Sequence, residues 1–179
     1  EDFGQCQDAQ KLSELLNTDY MGINQAEEGL MQREEARQRS IEIVQAAGFD
    51  LEQMPYVSLG SKGGWNGWEV RVSQIPGDEQ RTPGVMLDLA NDGAVRYMEY
   101  LGEPTEAAIG AAISEQRAQE IALAFMTQYV DAEGEAACTA QAEDSHWKVT
   151  FEGQADQQPC EVWIDNQTGA VLLVETFTR

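Results

Sequence analysis

The chain's only histidine is His146, which rules out any site that needs two imidazoles. It stands beside Trp147 at the start of a predicted strand, where a polar edge residue is the ordinary reading. The three cysteines, Cys6, Cys138 and Cys160, contain no C-x-x-C spacing and so do not outline a zinc site. Being odd in number, they leave at least one thiol unpaired within a monomer. A Cys–His nucleophile would need Cys138 or Cys160 brought against His146, and nothing in their spacing requires that. Carboxylate pairs such as Glu34–Glu35 and Asp131–Glu133 are abundant in an acidic chain, so they identify no glycosidase pair without distances. Asn91-Asp-Gly93 and Asp165-Asn-Gln-Thr-Gly169 lack the alternating Asp spacing and distal Glu of a calcium loop and read as hairpin turns. No G-x-S-x-G, H-E-x-x-H or P-loop pattern occurs. The expectation is a protein without catalytic residues, metal or cofactor of its own.

Two features remain as candidates for contact or constraint. Ser61-Lys-Gly-Gly-Trp-Asn-Gly-Trp68 places Trp65 among glycines, either as a contact residue for a partner or as a cap on a sheet edge. Cys138 and Cys160 bracket a predicted strand, and a bridge closing that loop could contribute ~3 kcal/mol. A simple meander of 136–142, 146–152 and 160–165 sets both cysteines opposite Phe151, ~9.5 Å apart across two strand spacings. The disulfide therefore requires Cys138 to leave the sheet or the strand order to differ.

The elements that must position these residues come as two rough copies. Met-Gln-Arg-Glu-Glu-Ala-Arg-Gln-Arg-Ser-Ile-Glu-Ile-Val from Met31 corresponds to Ile-Ser-Glu-Gln-Arg-Ala-Gln-Glu-Ile-Ala-Leu-Ala-Phe-Met from Ile113. Trp68-Glu-Val-Arg-Val72 then corresponds to Trp147-Lys-Val-Thr-Phe151, and Val85–Val95 to Val162–Val171. Ala36 aligns with Ala118, Trp68 with Trp147 and Gly93 with Gly169, with insertions confined to the connections. Period-3.6 patterning predicts helices over 33–47, ending at Gly48, and from Ser114, with Ala118, Ile121, Ala122, Phe125, Met126 and Tyr129 inward. Period-2 patterning predicts strands at 68–72, 85–89, 95–101, 136–142, 146–152, 160–165 and 170–177, while Pro55 and Gly60–Gly64 read as a break. Leu12, Leu15 and Leu16 put a further helix at 8–17. The division is residues 1–30 as an N-terminal helix and connection, 31–101 as a degenerate first repeat and 102–179 as a second.

Ile-Ser-Glu-x-x-Ala-x-x-Ile-Ala at Ile113–Ala122, Trp-x-Val-x-Phe at Trp147–Phe151 and Val-Trp-Ile-Asp-x-x-Thr-Gly-Ala-Val-Leu at Val162–Leu172 resemble the PepSY domain. The first copy departs from it, with Gln32 for the capping Ser and a turn one residue shorter, and together the copies cover about four fifths of the chain. The resemblance implies an α+β fold of two tandem helix-plus-antiparallel-sheet units, cystatin-like in outline. It also implies an extracytoplasmic bacterial setting, because such domains occur in protease propeptides and spore-germination proteins, and a peptidase or cell-wall hydrolase as partner.

Charge narrows the partner further. Thirty-two acidic against 11 basic residues give a formal charge of −21, which repels phosphate backbones and anionic lipid and excludes nucleic acid as the expected partner. Ten Asp or Glu against one Arg lie between Met98 and Trp147, so Glu115, Glu120, Asp131, Glu133 and Glu135 join Trp65 as candidate contacts for a basic protein. The first residue is Glu1, not Met, as expected for a secreted or surface-attached protein whose leader or lipid anchor has been removed. The reading is a non-enzymatic, extracytoplasmic binding or regulatory module that inhibits or chaperones its partner. A small enzyme or ligand binder with a pocket between helix and sheet, and a structural spacer of a surface protein, are the alternatives.

Overall fold

A computed structural model describes residues 31–61, 67–75, 83–102, 113–130, 137–152 and 159–176. The predicted helix at 8–17, Cys6, Trp65, Asp131, Glu133 and Glu135 lie outside the described residues. Helix α1 (Arg33–Ala46) is followed by β1 (Tyr56–Ser61), β2 (Gly67–Ser73), β3 (Gly84–Ala90) and β4 (Val95–Tyr100). Helix α2 (Glu115–Tyr129) is followed by β5 (Cys138–Ala142), β6 (His146–Phe151), β7 (Cys160–Asp165) and β8 (Val171–Glu175).

The eight strands of the described residues belong to one antiparallel sheet in the order β1-β2-β3-β4-β8-β7-β6-β5. This corrects the expectation of two tandem helix-plus-sheet units. The finding that overturns it is the pairing of β4 with β8 through Tyr97↔Glu175, Met98↔Val174 and Glu99↔Leu173. Two separate four-stranded sheets would leave four unpaired edges, whereas joining β4 to β8 leaves two and satisfies one more row of backbone groups. Strand β1 is a second correction, because the sequence reading took this stretch as a break. Pro55 lies just before the strand, where a missing N–H removes no ladder bond.

The register places one side chain from every strand in a single cross-sheet row: Leu59, Val70, Leu87, Met98, Val174, Val162, Val149 and Ala140. The six inner members of that row have no solvent exposure. Both helices cover this face, α1 packing on β1, β2 and β3 and α2 on β5, β6 and β7. Ala36, Ile43 and Val44 of α1 and Ala118, Ala122, Phe125 and Met126 of α2 close the core over it. Ser40, buried in that interface, donates its hydroxyl to the Ala36 carbonyl at 2.6 Å and so carries no unmet polar group.

The matched residues of the two copies make matched contacts. Trp68 Nε1–H donates to the Met31 carbonyl at 2.9 Å, and Trp147 Nε1–H to the Ile113 carbonyl at 3.1 Å, each bond fixing the chain two residues before its helix. Ser114 adds an N-cap by accepting from the Arg117 N–H at 3.2 Å, while Gln32 makes no side-chain cap, so α1 depends more heavily on its tryptophan. Gly93 (φ 86°) and Gly169 (φ 77°) turn the β3–β4 and β7–β8 hairpins in the left-handed region. A Cβ on Gly93 would meet Met31 and Arg39, and one on Gly169 would meet Ile121.

Further bonds tie the halves together. The Val171 N–H donates to the Ala47 carbonyl at the end of α1, at 2.8 Å. Arg39 of α1 lies 4.9 Å from the Tyr129 ring centre, donates to the Gln128 carbonyl at 3.4 Å, and reaches the Gly93 carbonyl at 3.3 Å.

Trp68 is buried and Trp147 half-buried, so their truncations should differ. Trp68→Ala is predicted to cost ~3–5 kcal/mol, Trp147→Ala less, and Trp68→Phe about 1–3 kcal/mol through the lost donor to Met31. Urea denaturation midpoints of the three variants measure this, and equal midpoints for Trp68→Ala and the unmodified chain would contradict it.

Candidate functional surface

Because side chains alternate along a strand, the register that buries the core row turns two other rows onto the face away from the two described helices. One row reads Gly60, Glu69, Asp88, Tyr97, Glu175, Glu161, Thr150 and Thr139. The other reads Ser58, Arg71, Met86, Glu99, Leu173, Trp163, Lys148 and Gln141. Four carboxylates and a phenol thus share the first row. Glu69 faces Asp88 and Glu161 faces Glu175 directly across their strands, an arrangement that disfavours folding unless something offsets it. Lys148 does so for Glu161, at 2.7 Å. Tyr97 donates its hydroxyl to Glu99 Oε2 at 2.7 Å, and burial, that bond and the nearby carboxylates hold the phenol well above its ordinary range, so it stays a donor.

The second row is more apolar. Trp163 stacks on His146 with ring centres 4.4 Å apart, and its Nε1–H is buried with no acceptor among the described residues. Burial lowers the His146 pKa, opposed by Glu143 and Asp165 and aided by Lys148, so the imidazole is mainly neutral at pH 7. Ser145 Oγ lies 3.3 Å from its Nδ1.

The sequence-derived candidates fall in different places. Glu115 and Glu120 are exposed on α2, on the opposite side of the sheet from the acidic row, and Glu120 pairs with Arg117 at 3.1 Å. Cys138 and Cys160 are both free, so no bridge joins them. They lie in register with Phe151 from the strands on either side of it, which is the separation that opposes a bridge. Cys160 Sγ–H contacts Met126 Sδ at 3.7 Å.

His146 stands at the other end of β6 from Phe151 and on the other face, roughly 16 Å along the strand at ~3.3 Å per residue. No Cys–His nucleophile is therefore assembled from these residues. In the hairpin turns, Asp92 Oδ1 accepts the Ala94 N–H, and Asp165 Oδ1 accepts the N–H groups of Gln167 and Thr168 and the Thr168 hydroxyl. Both carboxylates hold turns in shape. The acidic row itself escaped sequence reasoning because it draws on five strands whose order is not local. The only signal was that Glu69, Asp88, Glu161 and Glu175 alternate with apolar neighbours.

The thiols differ in their surroundings. Burial, with Glu161 and Glu175 nearby, pushes the Cys160 thiol up to about 12, and burial raises Cys138 as well. At pH 8 a thiol titrating near 12 carries roughly a thousandth of the thiolate of one titrating near 9. Cys160 should therefore be alkylated by iodoacetamide about three orders of magnitude more slowly in the folded chain than in urea, with the rate still rising above pH 9. Peptide mass mapping after timed quenching reads this, and equal rates in both states would contradict it.

No family model and no curated protein sequence matches the chain. Among solved structures it is similar to the Bacillus megaterium YpeB C-terminal domain, with a TM-score of 0.60 at 11% sequence identity, covering 82% of this chain and 63% of that one. The chain thus spans less than two thirds of that structure's length, and the likeness is one of fold, PepSY-like in kind.

Proposed function

We propose that this protein is a non-enzymatic binding or regulatory module that acts outside the cytoplasm on a basic protein partner. The observation that carries the reading is the face away from the two described helices, where four carboxylates line one row beside a half-buried apolar strip of Met86, Leu173 and Trp163. Carboxylates gathered in one row strengthen the attraction of that face for a cationic surface. The formal charge of −21 extends that field beyond the contact itself.

The PepSY-like fold supports a peptidase or cell-wall hydrolase as the partner class, and an extracellular or surface setting suits both. No helix among the described residues is long and apolar enough to cross a membrane. The helix-covered face is filled by apolar side chains from both helices and the core row, which weighs against a polar pocket between helix and sheet.

The test is to assay peptidases and cell-wall hydrolases of the source organism with and without excess chain. At least one should be inhibited or stabilised, with affinity falling at least tenfold between low and physiological salt. Glu161→Gln with Glu175→Gln should slow association while leaving the unfolding midpoint unchanged or raised. Turnover of a peptide, glycan or ester by the chain itself that survives repurification and disappears with one side-chain replacement would overturn the reading.

A further inference from the structure

We propose that the outer edge of β5 is a strand-addition site, which takes up an extended segment of a basic protein through the outward backbone groups of Cys138, Ala140 and Ala142. The proposal rests on the binding reading above and assigns it a second surface and a mode of contact.

The backbone direction follows from two hydrogen bonds. The Glu143 N–H donates to the His146 carbonyl at 2.9 Å and the Glu152 N–H to the Ala137 carbonyl at 3.1 Å, so 143/146 and 137/152 are hydrogen-bonded pairs. In an antiparallel ladder such pairs recur every second residue, which makes Thr139/Thr150 and Gln141/Lys148 bonded pairs too. The N–H and C=O groups of Cys138, Ala140 and Ala142 therefore point away from β6, in the arrangement an added strand requires.

Charge distribution sets this edge apart. Every inner strand carries at least one carboxylate, lysine or arginine: Glu69 and Arg71 in β2, Asp88 in β3, Arg96 and Glu99 in β4, Lys148 in β6, Glu161 and Asp165 in β7, and Glu175 in β8. The edge strands, Cys-Thr-Ala-Gln-Ala and Tyr-Val-Ser-Leu-Gly-Ser, carry none and contain no proline. Register shifts occur in the β3–β4 and β7–β8 pairings and not in β5–β6. Soluble proteins ordinarily guard edge strands with charges, prolines or bulges, and β5 has none of these guards.

Of the two edges, β5 has the less buried side chains: Thr139, Gln141 and Ala142 are exposed and none is buried, whereas in β1 Ser58 and Gly60 are exposed and Val57 is buried. On the helix side of β5 the small Ala140 and Ala142 leave room for a partner's side chain. Leu123 of α2, 39% exposed, lies on the flank opposite Ile121, the residue packed against the inner hairpin at Gly169. An added strand would thus place an apolar residue on the helix side and a polar one beside Thr139 and Gln141.

The partner's sign follows from the surroundings. Glu143 and Glu152 are exposed at the two ends of the β5–β6 hairpin, and Lys148 is already paired with Glu161. A second copy of the chain would bring a charge of −21 against −21, whereas a segment bearing Lys or Arg is attracted.

The probe is an acetylated nine-residue peptide alternating Val and Lys, titrated into the isotope-labelled full chain and followed by NMR amide exchange. Exchange at Cys138, Ala140 and Ala142 should slow at least tenfold on saturation, with Thr139 and Gln141 unchanged because they are already bonded to β6. Ala140→Pro removes an outward N–H without touching the β6 ladder and should weaken binding at least tenfold at an unchanged fold. If that variant fails to fold, the same peptide N-methylated at the amides facing β5 tests the contact on the unmodified chain and should not bind. Equal binding by Ala140→Pro or by the methylated peptide, protection at β1 instead, or concentration-dependent protection of β5 without peptide, which would seat a second copy there, each overturns the proposal. A natural partner bound in a salt-dependent way by both the unmodified chain and Ala140→Pro would remove the β5 site alone. A catalytic turnover would remove the binding reading and leave the exchange result standing.

Discussion

The short pairing of β4 with β8 is the constraint on which the rest of the structure depends. Three residue pairs join the two halves, and at their centre Met98 meets Val174 with both side chains excluded from water. Each fully buried aliphatic side chain in such a row contributes ~1.5–3 kcal/mol as an upper estimate. The same register decides what faces out, because a one-residue slip at the seam would turn one half over relative to the other, setting Met98 beside the outward Leu173 or Glu175 instead of Val174. Core, acidic row and free edges are therefore consequences of one alignment.

Much of this was legible from local pattern. The helices at 33–46 and 115–129 follow apolar period and, for α2, the Ser114 cap, and the hairpins at Gly93 and Gly169 follow residues that accept positive φ. The equivalence of Trp68 with Trp147 was visible as spacing, and its cause is that each indole donates to the chain just before its helix. The pairing of β4 with β8 was not legible, because contacts between residues so far apart leave no periodic trace in either segment. Repetition itself pointed the wrong way: each copy holds a helix and a complete meander, which suggests two finished units, while the unpaired backbone of β4 and β8 drives them into one sheet. The acidic row was hidden for the same reason, since its members become neighbours only after five strands are ordered.

The resulting molecule has two unlike sides and an unguarded margin. The helix side is sealed by alanines, valines and Phe125, with Arg39 linking the helices through Tyr129 and Gln128. The side away from the described helices combines carboxylates with Tyr97, Leu173 and Trp163, and on that composition the proposed contact with a basic partner rests. Charges placed on inner strands and withheld from edge strands invert the usual protection against aggregation. The net charge of −21 offsets that exposure by opposing the pairing of one copy of the chain with another.

The account's central claim is that the seam makes one cooperative unit of the two halves. Residue-resolved NMR through a urea titration tests it most directly, comparing amide signals of Val70 and Leu87 with those of Val149 and Val162, in the unmodified chain and in Met98→Ala. The account predicts a single midpoint shared by all four residues, and a common fall of that midpoint in Met98→Ala corresponding to ~2–5 kcal/mol. Separate midpoints for the two halves in the unmodified chain, or a Met98→Ala effect confined to Val70 and Leu87, would contradict it.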